Sequence, residues 1–157
     1  MKPVPLGDVA TIIAGQHIMA EDYNSDRNGV AYLTGPADFG ERLPTITKWT
    51  TSPKAFAKPS DVLLTVKGNG VGETNFGIDA AIGRQLMAIR PCPKNLDRQF
   101  LFAYLRYRES EVAALGRGAT VPGIGVDALT RYAVPLPSIF EQRPNAPLLR
   151  PADAPRA

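Results

Sequence analysis

The chain has 157 residues, 44% of them hydrophobic and 21% charged, with a formal net charge of +3; these are the proportions of one soluble globular domain with its own core. No apolar run approaches the roughly 18 residues that span a bilayer, and the start, MKPVPLGDVA, has no apolar stretch of the kind a secretory signal needs. A single cysteine, Cys92, excludes an intrachain disulfide framework and a cysteine-based zinc cluster, so a cytoplasmic setting and an ordinary buried thiol are expected.

PLGDVATIIAG reads as a short first helix: Leu6, Val9, Ile12 and Ile13 recur at three- and four-residue spacing, and Gly15 stands as its C-terminal stop. The polar, turn-rich GQHIMAEDYNSDRNG follows, then a short strand VAYLT, then a loop, GPADFGERLP, whose Gly, Pro and Asp favour turns. Pro59, Ser60 and Asp61 make a turn before the near-continuous apolar run Val62–Val66, the pattern of a buried strand. Lys67 ends that strand, and Gly68, Gly70 and Gly72 follow at alternate positions, as in a tight hairpin that needs positive φ. Past a turn at Gly77 and Asp79, RQLMAIRP reads as another strand, closed by Pro91 and Pro93. Strands that succeed one another without long helices predict antiparallel pairing rather than βαβ units.

From Asp97 the period changes. Leu101, Tyr104, Leu105, Arg108, Val112 and Leu115 trace one helical face, with Asp97 as N-cap and Gly116 just past the end. The glycine-rich LGRGATVPGIG leads to a short helical turn capped by Asp127, then to the strand RYAVPLP, which its two prolines restrict to an edge or a strand end. From Phe140 the chain carries four prolines and little apolar pattern. The expected organisation is therefore a domain over residues 1–140 and a Pro-rich, disordered tail over 141–157.

The one histidine, His17, has no acid or nucleophile pattern beside it, and no metal-ligand spacing exists; no catalytic residue, cofactor or metal is expected. GNGVGETN lacks the spacing of a P-loop and does not open a helix, which argues against a nucleotide-binding enzyme. The same loop suits DNA better: Lys67 to meet a phosphate, and Asn69, Thr74 and Asn75 to reach base edges from a glycine-thinned backbone. Arg84 and Gln85 can take guanine and adenine, each through two hydrogen bonds in the major groove, and Gln16 and His17 offer further polar groups. Tyr32 and Phe39 belong by pattern to the core, and Arg106 and Arg108 to a solvated helix face. Residues 1–66 carry six basic and seven acidic side chains, residues 67–157 twelve and eight, so the second half is compatible with a polyanionic partner.

The segments L-G-D-V-A…G-Q-H-I, Y-L-T-G-P-A-D-F, K-P-S-D-V-L-L-T-V-K-G-N-G-V-G, A-I-G-R-Q-L-M-A-I-R-P, G-R-G-A-T-V-P-G-I-G-V-D-A-L and V-P-L-P-S-I-F-E-Q succeed one another across Leu6–Gln142. That succession resembles a target recognition domain of the specificity (S) subunit of type I restriction–modification enzymes. The resemblance implies an α/β (α+β) fold with a strongly curved, mostly antiparallel sheet and flanking helices. It implies a non-catalytic domain that reads one half of a bipartite double-stranded DNA target, with methylation and cleavage left to the methyltransferase (M) and restriction (R) subunits as partners. A second copy of the chain is a further candidate partner.

In the family, the glycine-rich loop lies between the last long helix and the exit strand. There Arg117 and Thr120 would project toward a phosphate, or Arg117 would enter an internal salt bridge. The family's P-L-P…E-Q leads into a long spacer helix that docks methyltransferase subunits; here RPNAPLLRPADAPRA stands in its place, with prolines that forbid a long helix. The alternative is a module of the same fold that regulates or inhibits a restriction complex through protein contacts. Salt separates the two, because only phosphate contacts make DNA binding fall steeply with ionic strength.

Overall fold

The structure is a computed structural model that describes residues 2–118 and 122–143. Its strands are β1 (Pro3–Pro5), β2 (Ala10–Ala14), β3 (Tyr23–Asn24), β4 (Val30–Leu33), β5 (Trp49–Thr50), β6 (Phe56–Ala57), β7 (Val62–Thr65), β8 (Thr74–Phe76), β9 (Ala80–Ile82), β10 (Leu86–Pro91) and β11 (Ala133–Pro135). The α-helices are α1 (Arg98–Tyr107), α2 (Glu109–Ala113), α3 (Val126–Arg131) and α4 (Ile139–Gln142), and single 3-10 turns lie at Leu6–Asp8, Ala20–Asp22, Pro36–Asp38 and Ala114–Gly116.

β7 and β10 lie at the centre of a four-stranded antiparallel sheet ordered β2-β10-β7-β8, with Thr65 opposite Leu86 and Val62 opposite Ile89. Their side chains alternate between two cores, as the pleat demands. Val62, Leu64, Val66, Met87 and Ile89 pack beneath the helices with Leu101, Phe102, Leu105 and Val112. Leu63, Leu86 and Ala88 face the other way, onto Leu33, Ala57, Ala80 and Ile82. Those last residues come from a second sheet ordered β3-β5-β4-β9-β6, antiparallel except for the β4–β9 pair. The central sheet is thus covered on both faces, which is why Val62–Val66 reads as a near-continuous apolar run interrupted only by the buried Thr65. β1 and β11 form a separate antiparallel ribbon, Pro3 opposite Pro135.

The segment expected to be a first helix is instead a 3-10 turn followed by β2. Ile12 packs into the helix-side core and Ile13 into the other, an alternation that only a strand gives. The helix from Asp97 is present, and the Asp97 carboxylate accepts from Phe100 N at 3.0 Å as its cap. It breaks at Arg108 (φ −103°, ψ 26°) into α2, and Gly116 belongs to the closing 3-10 turn. Tyr132 Oη donates to Glu111 at 2.5 Å and ties α2 to the start of β11. Burial first, and that bond second, push the Tyr132 phenol well above its ordinary pKa, so it stays a neutral donor. Phe102 of α1 stacks on Phe76 of β8 with ring centroids 4.0 Å apart.

Three further expectations change. Cys92 is exposed, because the turn after β10 carries it out of the core. Asp127 lies in the first turn of α3, whose cap is Gly125. Glu141 and Gln142, expected in the tail, belong to α4, which a Ser138–Glu141 capping box opens. Gln142 is fully buried; its side chain accepts from Asp97 N (2.7 Å) and donates to Asn95 O (2.7 Å) and Pro137 O (2.8 Å). The rest of the expected tail, residues 144–157, lies outside the described residues.

The turn before β7 is fixed by Asp61, which is fully buried. Its carboxylate accepts from Arg90 Nε (2.7 Å), Arg90 Nη2 (2.9 Å) and Lys58 N (2.8 Å). Asp61→Ala removes every acceptor at once and strands a half-buried guanidinium. The expected loss is about 3 kcal/mol, read as a lower urea midpoint with an unchanged slope.

Candidate nucleic-acid interface

The register of the strands collects the loops at one end of the molecule. β2, β4, β7 and β9 run toward that end, and β5, β8 and β10 start from it. Backbone bonds stitch the loops of both sheets into one edge: Gly15 N donates to Leu86 O (2.9 Å), Gln16 N to Ile82 O (3.0 Å), Val66 N to Gln85 O (2.8 Å) and Gly83 N to Leu33 O (2.9 Å). Gln16, His17, Lys67, Asn69 and Arg84 are exposed on this edge, and Gln85 is half-buried in it. Residues far apart in sequence are thus brought side by side on a scaffold of paired strands.

Gln85 is held sideways. A Cβ on Gly35 or on Gly68 would collide with its carboxamide, and Gly68 also has φ +80°, where glycine is favoured. Lys67 is supported from beneath by the loop that returns from α2. Gly123 has φ +121°, and a Cβ there would stand 2.8 Å from both Lys67 Cγ and Val66 O. Ile124 N donates to Val66 O at 2.8 Å and fixes the approach. Gly116 packs on Gly123 in the same loop, and the neighbouring Arg117 is exposed. Among the described residues Lys67, Arg84 and Arg117 form no ion pair, so the salt-bridge alternative for Arg117 is not realised there. Thr120 lies outside the described residues.

Thr74 and Asn75 do not reach the edge as base contacts. They are 3% and 1% exposed in β8. The Asn75 amide is occupied internally: Oδ1 accepts from Gly40 N (3.0 Å), and Nδ2 donates to Gly40 O (3.0 Å) and Thr74 O (2.8 Å). Placing them with the loop followed from the glycines before them; the chain re-enters the sheet already at Thr74, at the start of β8. The glycine-rich stretch leads into a strand and not into a helix, so no helix N-terminus faces a phosphate there.

Arg106 also departs from the expected solvated face. Its guanidinium lies 4.5 Å from the Phe102 ring centroid, and Nη2 donates to Thr74 O at 3.0 Å. Arg108 does face solvent, 3.5 Å from Glu111. A cleft of about 290 Å³ beside β8 is lined by Phe39, Gly40, Glu73, Thr74, Asn75, Arg106 and Glu109. Two carboxylates against one guanidinium make it a poor site for an anion.

The sequence gives little notice of one further part of the edge. Since β5 runs antiparallel to β4, the chain just before it, residues 43–48, extends past the end of β4 alongside Thr34 and Gly35. The alternation of threonine with other residues in TITK, before Trp49, is the only hint of an extended segment. Among the described residues no helix is long and apolar enough to cross a membrane.

A family model for the type I restriction modification DNA specificity domain matches residues 1–155. A protein of Methanocaldococcus jannaschii assigned to the MjaX type I restriction enzyme as its specificity subunit is 33% identical over 143 residues, covering 90% of this chain and 33% of that protein. The crystal structure of the HsdS subunit from Thermoanaerobacter tengcongensis superposes with a TM-score of 0.79 at 37% identity, covering 90% of this chain and 34% of that one. A structure concerned with complex assembly and conformational transition of the type I R-M system gives 0.80 at 38% identity, covering 90% and 35%. The chain therefore spans about a third of the length of the relatives it matches.

If Asn75 is a clamp between β8 and the Gly40 turn, Asn75→Ala should lower stability by about 2 kcal/mol, since two groups of Gly40 lose their partner. Thermal denaturation measures the loss. At a temperature where the variant is folded, its preference among DNA sequences should match the parent's.

Proposed function

The chain belongs to the type I restriction modification DNA specificity family, and from that premise we propose that it reads one half of a bipartite double-stranded DNA target and performs no chemistry of its own. The observation that carries this reading is the gathering of Gln16, His17, Lys67, Asn69, Arg84 and Gln85 on a single edge from three separate loops. Amides and a guanidinium match base edges in the major groove, while flexible lysines and unpaired arginines match phosphates. Base reading is assigned to Asn69, Arg84, Gln85, Gln16 and His17, with Gln85 pre-set by its glycine slot. Phosphate contact is assigned to Lys67 and Arg117. The slot supports that division: a side chain held in one orientation favours specificity, and a freely solvated cation favours affinity.

The residues up to Gln142 would form the reading module, with the Pro-rich segment beyond it in the position of a spacer helix. Methylation and cleavage would be the work of separate methyltransferase and restriction subunits, which fits the family to which the chain belongs. A cytoplasmic location is part of the same proposal.

Two substitutions test the assignment. Lys67→Ala should weaken binding to all sequences alike and reduce the slope of log K against log salt by about 0.9. Arg84→Ala should relax one position of the target, at about 1–3 kcal/mol. Selection from a random duplex pool at low salt reads both. An unchanged profile for Arg84→Ala removes that residue from the reading set.

A further inference from the structure

The segment Leu43–Lys48 is irregular in backbone yet firmly held, and what holds it is a buried carboxylate. Asp38 is 5% exposed. Its Oδ2 accepts from Thr34 N (2.9 Å) and Thr34 Oγ1 (3.1 Å), and its Oδ1 accepts from Thr47 Oγ1 (3.5 Å) with Lys48 Nζ 4.0 Å away. The Asp38 carbonyl accepts from Thr45 N (2.8 Å), and Tyr32 N donates to Lys48 O (2.9 Å). The segment is thereby fastened on both sides of Ile46, at Thr45 and at Thr47–Lys48. Ile46 itself is 40% exposed between two exposed threonines.

We propose that Ile46 is a specificity-determining residue that contacts the 5-methyl group of a thymine in the major groove, presented by the Asp38-held segment. The proposal rests on the DNA-reading function above and adds an apolar reader to an otherwise polar edge. The segment passes the end of β4 beside Thr34 and Gly35, and Gly35 abuts the Gln85 carboxamide. Ile46 and Gln85 therefore belong to one surface. The only apolar feature on the floor of the major groove is the thymine methyl, and a β-branched side chain has few rotamers to lose on meeting it. The Asp38 charge does not oppose the approach of phosphates, because it is buried and faces Lys48. A fixed segment also places the methyl contact in one register, as discrimination requires.

The test uses the full 157-residue chain and its Ile46→Ser variant, first in selection from random duplex DNA, then with the selected duplex carrying deoxyuridine in place of each thymine in turn. Deoxyuridine deletes the methyl group and leaves the pairing edge intact. For the parent chain, one such replacement should weaken binding about fourfold, the worth of one buried methyl. For Ile46→Ser the same replacement should have no effect, and selection at that position should blur. Leu43→Ser, which removes an even more exposed apolar side chain from the neighbouring turn, should behave as the parent does. An identical deoxyuridine penalty in parent and Ile46→Ser, a selected motif that responds to no deoxyuridine, or an equal effect of Leu43→Ser overturns the proposal and leaves DNA reading standing. Absence of any selected motif overturns the DNA-reading function itself and this inference with it.

Discussion

β7 and β10 are apolar on both of their faces, and that double burial is the condition from which the remaining architecture follows. A strand pair with Val62, Leu64, Met87 and Ile89 on one side and Leu63, Leu86 and Ala88 on the other needs cover twice. The helices supply one cover and the five-stranded sheet supplies the other. With both faces of the central sheet closed, its polar side chains reach solvent chiefly at the strand ends. The register of Thr65 against Leu86 decides which loops share an end. A slip of one residue would exchange the two cores and scatter that edge.

The two buried carboxylates serve the two ends of the sheets in different ways. Asp61 meets a bidentate arginine and one backbone amide, a closed arrangement that rigidifies a turn far from the loop edge. Asp38 collects an amide, two hydroxyls and a distant lysine, and so fastens chain that has no ladder of its own. Cations follow the same division. Arg90 and Arg106 are turned inward onto a carboxylate and an aromatic ring, whereas Lys67, Arg84 and Arg117 keep their charge for the outside. The uneven charge of the sequence is therefore a poor guide to the surface unless the inward arginines are set aside.

The buried strand at Val62, the strand RQLMAIRP and the helix after Asp97 were legible in the sequence, since each combines a clear period with a turn or cap at its border. Residues 5–15 misled because Leu6, Val9, Ile12 and Ile13 satisfy helical spacing over too short a run; tertiary pairing with β10 decided the matter. Lys67 and Asn69 were legible as loop chemistry, because glycines and a terminating lysine mark where β7 ends; Arg84 and Gln85, read at the start of the strand RQLMAIRP, lie in the turn just before β10. Asn75 was misplaced since nothing local distinguishes an amide facing solvent from one that bridges to Gly40, a residue 35 positions away. The fixed course of residues 43–48 was hidden for a similar reason: it depends on a carboxylate buried by other parts of the chain.

Pro3 lies across from Pro135 in the β1–β11 ribbon, so the polypeptide enters and leaves the folded unit through a single stem. Gln142, bonded to Asn95, Asp97 and Pro137, fixes the outgoing direction against the base of α1. A unit attached at one point can be exchanged within a longer polypeptide without disturbing what lies on either side. Such an exchange would swap one set of edge loops for another while keeping the stem, and new sequence preferences could then arise by recombination at the stem as well as by point substitution.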